Sequence, residues 1–157
     1  MEEFTILKAA VRSNPGPKPQ AVRRLAPMGA LVLTNTRAMF LSSGSSGIVE
    51  TMLRGRSLGV LAVLGEKGQV RRAAEKVDDS ALQTEGSWQI MLRDLSACEA
   101  GGSWFTDHRI RIAGKDASGQ AVEFCCFMGD IDKHSKAMIS TQVMSAKASQ
   151  VGPDSRS

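Results

Sequence analysis

The stretch that most limits how this chain can fold is Gly29–Leu41, GALVLTNTRAMFL. Leu31 and Leu33, then Met39 and Leu41, alternate with other residues at the period of two expected of a half-buried strand pair. Thr34-Asn35-Thr36-Arg37 lies between them as a short polar turn. The pattern predicts a β-hairpin, and Asn35 is the residue expected to take the positive φ that tight hairpins use.

Before the hairpin, Phe4–Val11 reads as a first strand of mixed pattern, with Phe4 and Ile6 of one parity and Thr5, Leu7 and Ala9 of the other. Arg12–Pro27 then carries four of the chain's five prolines and is expected to be a long loop. It also carries Arg12, Lys18, Arg23 and Arg24 with no acidic residue, the densest unopposed basic stretch of the chain. Such a stretch is either a solvated loop or an anion-binding surface.

After the hairpin, Ser42–Gly47 is small-residue sequence that marks a boundary. Residues 48–82 change character and predict a helical insertion. Ile48, Met52, Leu53 and the run to Leu64 form one part, Gln69–Val77 the other, with Gly65-Glu66-Lys67-Gly68 interrupting them. Leu58–Leu64 is about a third of the ~20 apolar residues that a membrane span needs. Leu58, Val60, Leu61 and Leu64 are therefore candidates for an interaction surface. They would lie on the domain's own core, on a second subunit or at a membrane interface.

Strands return in the last third. Trp88–Leu95 and Ala97–Glu99 lead to a Gly101-Gly102 turn, and within Trp104–Ala113 the residues Ile110 and Ile112 alternate cleanly with Arg109 and Arg111. Asp116–Gly119 closes a hairpin onto Ala121–Met128. Asp130 or Asp132 can then cap a helix to about Ala148, with Ile131, Met138, Ile139, Val143 and Ala146 as its apolar stripe. The expectation is one domain over residues 1–148 and a disordered tail over 149–157.

Composition narrows the function classes. At 157 residues, 42% hydrophobic and 23% charged, the chain is of ordinary globular make-up; aromatics are sparse at 4%, and eight Met can fill part of that gap. A net charge of +4 permits an anionic partner without requiring one. Cys98, Cys125 and Cys126 are odd in number, form no Cys-x-x-Cys pair and have only the distant His108 and His134 for company. They read as small buried hydrophobes in a reducing compartment, with no metal and no cofactor expected. The acidic start MEEFTILK lacks the apolar run of a secretory signal, so a cytoplasmic protein is expected, with peripheral membrane attachment as the alternative. His108 and His134 are expected at the surface. Arg37 is expected to pair with a neighbouring carboxylate rather than to hold a ligand.

These motifs carry a resemblance. GALVLTNTRAMFL resembles the Gly-x-Leu-x-Leu-Thr-Asn-x-Arg-x-x-Phe signature of the bacterial pleckstrin-homology-like, or GRAM-like, domains, through Gly29, Leu31, Leu33, Thr34, Asn35, Arg37 and Phe40. Ile90, Asp94, Leu95 and Cys98 resemble a later strand of that family, and Arg109–Phe127 its final hairpin, with Phe124 one residue out of phase. The closing helix lacks the Trp familiar from eukaryotic members. The resemblance implies an α+β, mainly β fold: a barrel of two antiparallel sheets capped by a C-terminal helix, here with a helical insertion between the strand groups.

The resemblance also implies a non-catalytic module. Family members that bind phosphoinositides use basic residues of the first two strands and their loop, which here would be Lys8, Arg12, Lys18, Arg23 and Arg24. The second strand carries no charge between Leu31 and Leu33. The leading expectation is a non-enzymatic module that binds a protein or peptide partner, or itself, at an exposed strand edge. The alternative is a peripheral module that binds anionic lipid headgroups through the 12–24 loop and the apolar insertion. Nucleic acid is not expected, because Trp88 and Trp104 lack basic-aromatic alternation around them. Neither a phosphate loop nor a nucleophile elbow is present in the sequence.

Overall fold

The computed structural model describes residues 2–21, 23–44 and 58–150; the side chains of Arg24 and of residues 58–66 lie outside that description. Seven strands follow one another as β1 (Thr5–Pro15), β2 (Met28–Thr34), β3 (Arg37–Ser42), β4 (Trp88–Met91), β5 (Leu95–Gly101), β6 (Arg109–Lys115) and β7 (Ala121–Phe127). Helix α1 (Leu58–Glu75) stands between β3 and β4, and helix α2 (Lys133–Gln150) closes the chain. The sheet order is β4-β3-β2-β1-β7-β6-β5, with every pair antiparallel. This is the arrangement of antiparallel strands and closing helix that the resemblance implies.

Short connections force this sheet to curl. β4 and β5 are its two edges, yet a three-residue 3-10 turn, Leu92–Asp94, joins them. Two edges that close must face each other, so the sheet rolls into a barrel. Gly114 of β6 shows how near they come, since a Cβ there would lie 2.6 Å from the Asp94 carbonyl oxygen and 2.9 Å from Ile90 of β4. Instead of two separate sheets, β1 runs through both strand groups. Its residues Thr5–Arg12 pair with β2, and Arg12–Pro15 pair with β7.

The inward face holds the main core, with Leu31, Leu33, Phe40, Trp88, Ile90, Ile110 and Ile112 packed against Ile139 and Val143 of α2. Trp88 stacks on Phe124 at 4.4 Å between ring centroids and 5° between planes, and its indole Nε1 donates to Ser13 Oγ at 2.9 Å. The outward face is covered as well. Val70, Ala73 and Ala74 of α1, with Val77 just beyond it, pack on Ala10, Met28, Ala30, Val32, Met39 and Leu41. β2 is consequently buried along its whole length, not half-buried as its alternation predicts.

Several sequence expectations shift for the same reason. α1 continues through Gly65-Glu66-Lys67-Gly68 because docking on a sheet outweighs the roughly 1 kcal/mol that each interior Gly costs a helix. β1 extends four residues past Val11, since Arg12, Ser13 and Asn14 find partners inside: Arg12 Nη1 donates to the Ala26 carbonyl at 2.6 Å, and Ser13 accepts the Trp88 indole. The loop that follows folds back over the sheet, where Ala26 packs on Cys125 and Phe127. Among the described residues, those with positive φ outside glycine are Asp107 and Met128 rather than Asn35. Side chains hold the Asn35 turn instead: Asn35 Oδ1 accepts from Phe4 N at 2.9 Å, and Thr34 Oγ1 accepts from Arg37 N at 3.0 Å.

α2 starts on a reciprocal cap. Asp132 Oδ1 accepts from the backbone of His134 and Ser135, while Ser135 Oγ accepts from Asp132 N at 2.8 Å. Of the predicted stripe, Ile131, Ile139 and Val143 are buried, whereas Met138 is turned to solvent. Residues 45–47 of the predicted boundary, residues 48–57 of the predicted insertion and residues 151–157 of the predicted tail lie outside the described residues.

Candidate functional site

The β5–β6 connection, Gly101–His108, is built to hold its tip rigidly outward. Gly102 has φ +76°, and a Cβ there would fall 1.8 Å from the Asp107 carbonyl oxygen, so only glycine fits the turn base. Ser103 N donates to Thr106 Oγ1 at 3.0 Å and Thr106 N returns a bond to the Ser103 carbonyl at 3.1 Å, closing a turn whose two central residues are Trp104 and Phe105. Lys136 of α2 donates to the carbonyls of Gly101 and Gly102 at 3.2 and 2.8 Å. Arg23 pairs with Asp107 and ties the 16–27 loop to the same place.

At that tip Trp104 and Phe105 are 76% and 75% exposed and lie against each other, 3.7 Å between centroids with their planes tilted by 33°. The predicted strand Trp104–Ala113 therefore starts only at Arg109. The Gly101-Gly102 turn is read correctly from sequence; the overlooked signal is that Thr106-Asp107 extends the turn past Trp104 and Phe105, which on their own favour strands.

A groove of about 230 Å³ opens behind the tip, between Trp104 and His108 on one side and Met128, Gly129 and Ile131 on the other, with Lys67 of α1 at its rim. His108 is half-buried instead of at the surface, and its Nδ1 is buried with no hydrogen-bond partner among the described residues. A second hollow, about 570 Å³ and shallow, lies where Lys8 and Thr5 face Val77–Ser80.

The basic residues named from sequence are distributed over different places. Arg12 is buried beneath Ala26. Lys8 sits beside the end of α1, its Nζ 3.5 Å from the Val77 carbonyl oxygen. Lys18 is exposed, and its carbonyl accepts from Asn14 at 3.1 Å. Arg23 is engaged with Asp107, and Arg24 lies in the same 3-10 turn with its side chain outside the described set. Leu58, Val60, Leu61 and Leu64 belong to the first half of α1, and their side chains are likewise outside the described residues.

Arg37 has a structural post. Its Nε and Nη2 clasp Glu3 at 2.8 and 3.1 Å and its Nη1 donates to Gln89 at 2.6 Å. That guanidinium, followed by the Thr36 hydroxyl, holds the Glu3 carboxyl down to about 2. Burial pushes the Cys98 and Cys125 thiols up to about 12 and Cys126 higher still, which keeps all three protonated and poor nucleophiles. Among the described residues no three His, Cys, Asp or Glu side chains are grouped to hold a metal. No described helix is long and apolar enough to cross a membrane.

The sheet edge expected to receive a partner strand is occupied at β5. Lys147 donates to the Leu95 carbonyl, Ser140 to that of Cys98 at 2.6 Å, and Lys136 to that of Gly101, so α2 takes up a carbonyl at each end of the strand and one between.

No protein-family model and no curated protein matches the chain. Among solved structures it is similar to the Vps36 N-terminal PH domain, with a TM-score of 0.49 and 15% identity over 95% of this chain and 82% of that one.

Proposed function

We propose that this chain is a non-catalytic, pleckstrin-homology-like interaction module that holds a protein or peptide partner at the end of the barrel formed by the 101–108 loop. The observation that carries the reading is the exposed Trp104–Phe105 pair on a braced turn. Two such rings offer on the order of 300–500 Å² of surface to a partner, and large aromatics are the side chains on which binding energy concentrates. The bracing by Gly102, Lys136 and Arg23 means that little order remains to be imposed on binding. The buried, protonated thiols accord with work in a reducing, cytoplasmic setting.

A partner using this end does not need the strand edge. Nor does it need the basic stretch as an anion site, since Arg12 is buried against Ala26 and Arg23 is engaged as a brace of the loop. Selection of random peptides displayed on phage, with the purified protein as bait, tests the reading. Recurrent sequences are expected to be enriched by the wild type and lost when Trp104→Ala and Phe105→Ala are combined. Equal enrichment by that double variant contradicts it.

A further inference from the structure

The groove behind Trp104 narrows what such a partner must look like. Its volume of about 230 Å³ has room for one side chain, below the roughly 300 Å³ at which pockets for whole small ligands begin. Met128 and Ile131 give it apolar walls, and Gly129 lets the chain press against β1, where a Cβ would come 2.2 Å from the Ala10 carbonyl oxygen. The groove therefore accepts an apolar side chain beside the Trp104 ring.

Its charges point one way. Asp107 is the carboxylate in the lining, and Arg23 already pairs with it. Lys67 at the rim is exposed and has no carboxylate within 4 Å among the described residues. Arg109, whose guanidinium lies over Gly101 and Gly102 at the base of the same loop, likewise has no ion-pair partner among them. His108 adds a buried ring nitrogen with no hydrogen bond. Arg109, without an ion pair among the described residues, and Lys67, whose countercharge Asp132 acts on it only from beyond ion-pair distance, favour an anionic occupant with an apolar anchor.

We propose that this groove takes a single apolar side chain from an acidic peptide segment, with the segment's carboxylates set against Lys67 and Arg109. The inference rests on the protein-partner reading above and adds the chemistry of the partner. A bilayer surface fits less well. Arg12 is buried and Arg23 paired, which removes two of the cations a membrane would use, and a concave slot suits a side chain better than a flat headgroup layer.

The test is fluorescence anisotropy with a labelled peptide, Gly-Glu-Asp-Glu-Leu-Glu-Asp-Glu-Gly. Two counterparts accompany it, one with Gly for Leu and one with Lys for every acid. Saturable binding is expected for the first peptide, weakened about tenfold or more by either change in the peptide and by Lys67→Glu, with melting temperatures unaltered. Absence of binding, or equal binding by Lys67→Glu, overturns the proposal. Phage-selected peptides that need Trp104 yet carry no acidic residues overturn it too, and leave the protein-partner reading standing. Sedimentation with phosphatidylglycerol vesicles that depends on Trp104, without any peptide binding, overturns both.

Discussion

Trp88 and Trp104 are the two tryptophans of the chain, and each lies against a phenylalanine ring. The surroundings separate them. Trp88 is 8% exposed, lies between Phe40 and Phe124, and gives its indole N–H to Ser13. Trp104 lies against Phe105 at the mouth of the groove and stands in solvent at the tip of a turn. Contact between rings by itself thus says nothing about role. A ring that is buried with its N–H satisfied belongs to the folded core, whereas the exposed ring is the one our proposal assigns to binding.

The sharpest way to break this contrast is to truncate the buried ring. Trp88→Ala should cost about 3–5 kcal/mol, from the lost burial, the cavity between Phe40 and Phe124 and the lost indole hydrogen bond to Ser13. Chemical denaturation would read it as a large fall in the midpoint. A loss under about 1 kcal/mol would mean that Trp88 is not a keystone of the barrel.

The loop base should respond next. Gly102→Ala puts a Cβ on the Asp107 carbonyl and strains a positive φ, so a cost of about 1–3 kcal/mol is expected, together with disturbed Trp104–Phe105 stacking. Near-ultraviolet circular dichroism reports the stacking. An unchanged aromatic signal would show that the turn is not held by Gly102.

Electrostatic effects should be smaller. The folded-state pKa of Glu3 is depressed, so its pairing with Arg37 stabilises the protein above the ordinary value near 4.5 and loses that contribution as pH falls towards 2. Glu3 is partly exposed, so the contribution amounts to no more than about 1 kcal/mol after solvent screening. Glu3→Gln should therefore be less stable than wild type at neutral pH and converge with it between pH 4.5 and 2. A constant gap across that window would contradict the assignment. The pair clasps the β2–β3 turn, far from the 101–108 loop, so peptide binding should be indifferent to it.

How far each region can be read from sequence follows from where its causes lie. The β2–β3 hairpin was legible because Leu31, Leu33 and Phe40 sit on strands whose partner is next in the chain. The start of α2 was legible because Asp132 caps it locally. The double burial of β2 was not, because it depends on α1 arriving from residues far along the chain. Arg12 looked like a loop cation because nothing nearby announces that β1 will continue to meet β7 and enclose it. The aromatic tip was missed for a different reason. Trp and Phe carry strand propensity, which outweighed the turn signal of Thr106-Asp107 after them; the positive φ of Gly102 and Asp107 shows how far the turn extends.

The central claim is that Trp104 serves binding and Trp88 serves folding, and the most direct measurement takes both properties from one variant, Trp104→Ala. Its melting temperature should stay within about 1–2 °C of wild type, since an exposed ring carries within about 0.5 kcal/mol of stability in a domain of this size. Its affinity for the acidic leucine peptide should fall about thirtyfold, as for loss of an aromatic hot spot. A large fall in melting temperature with unchanged affinity would contradict the account, for it would place Trp104 among the groups that hold the fold together.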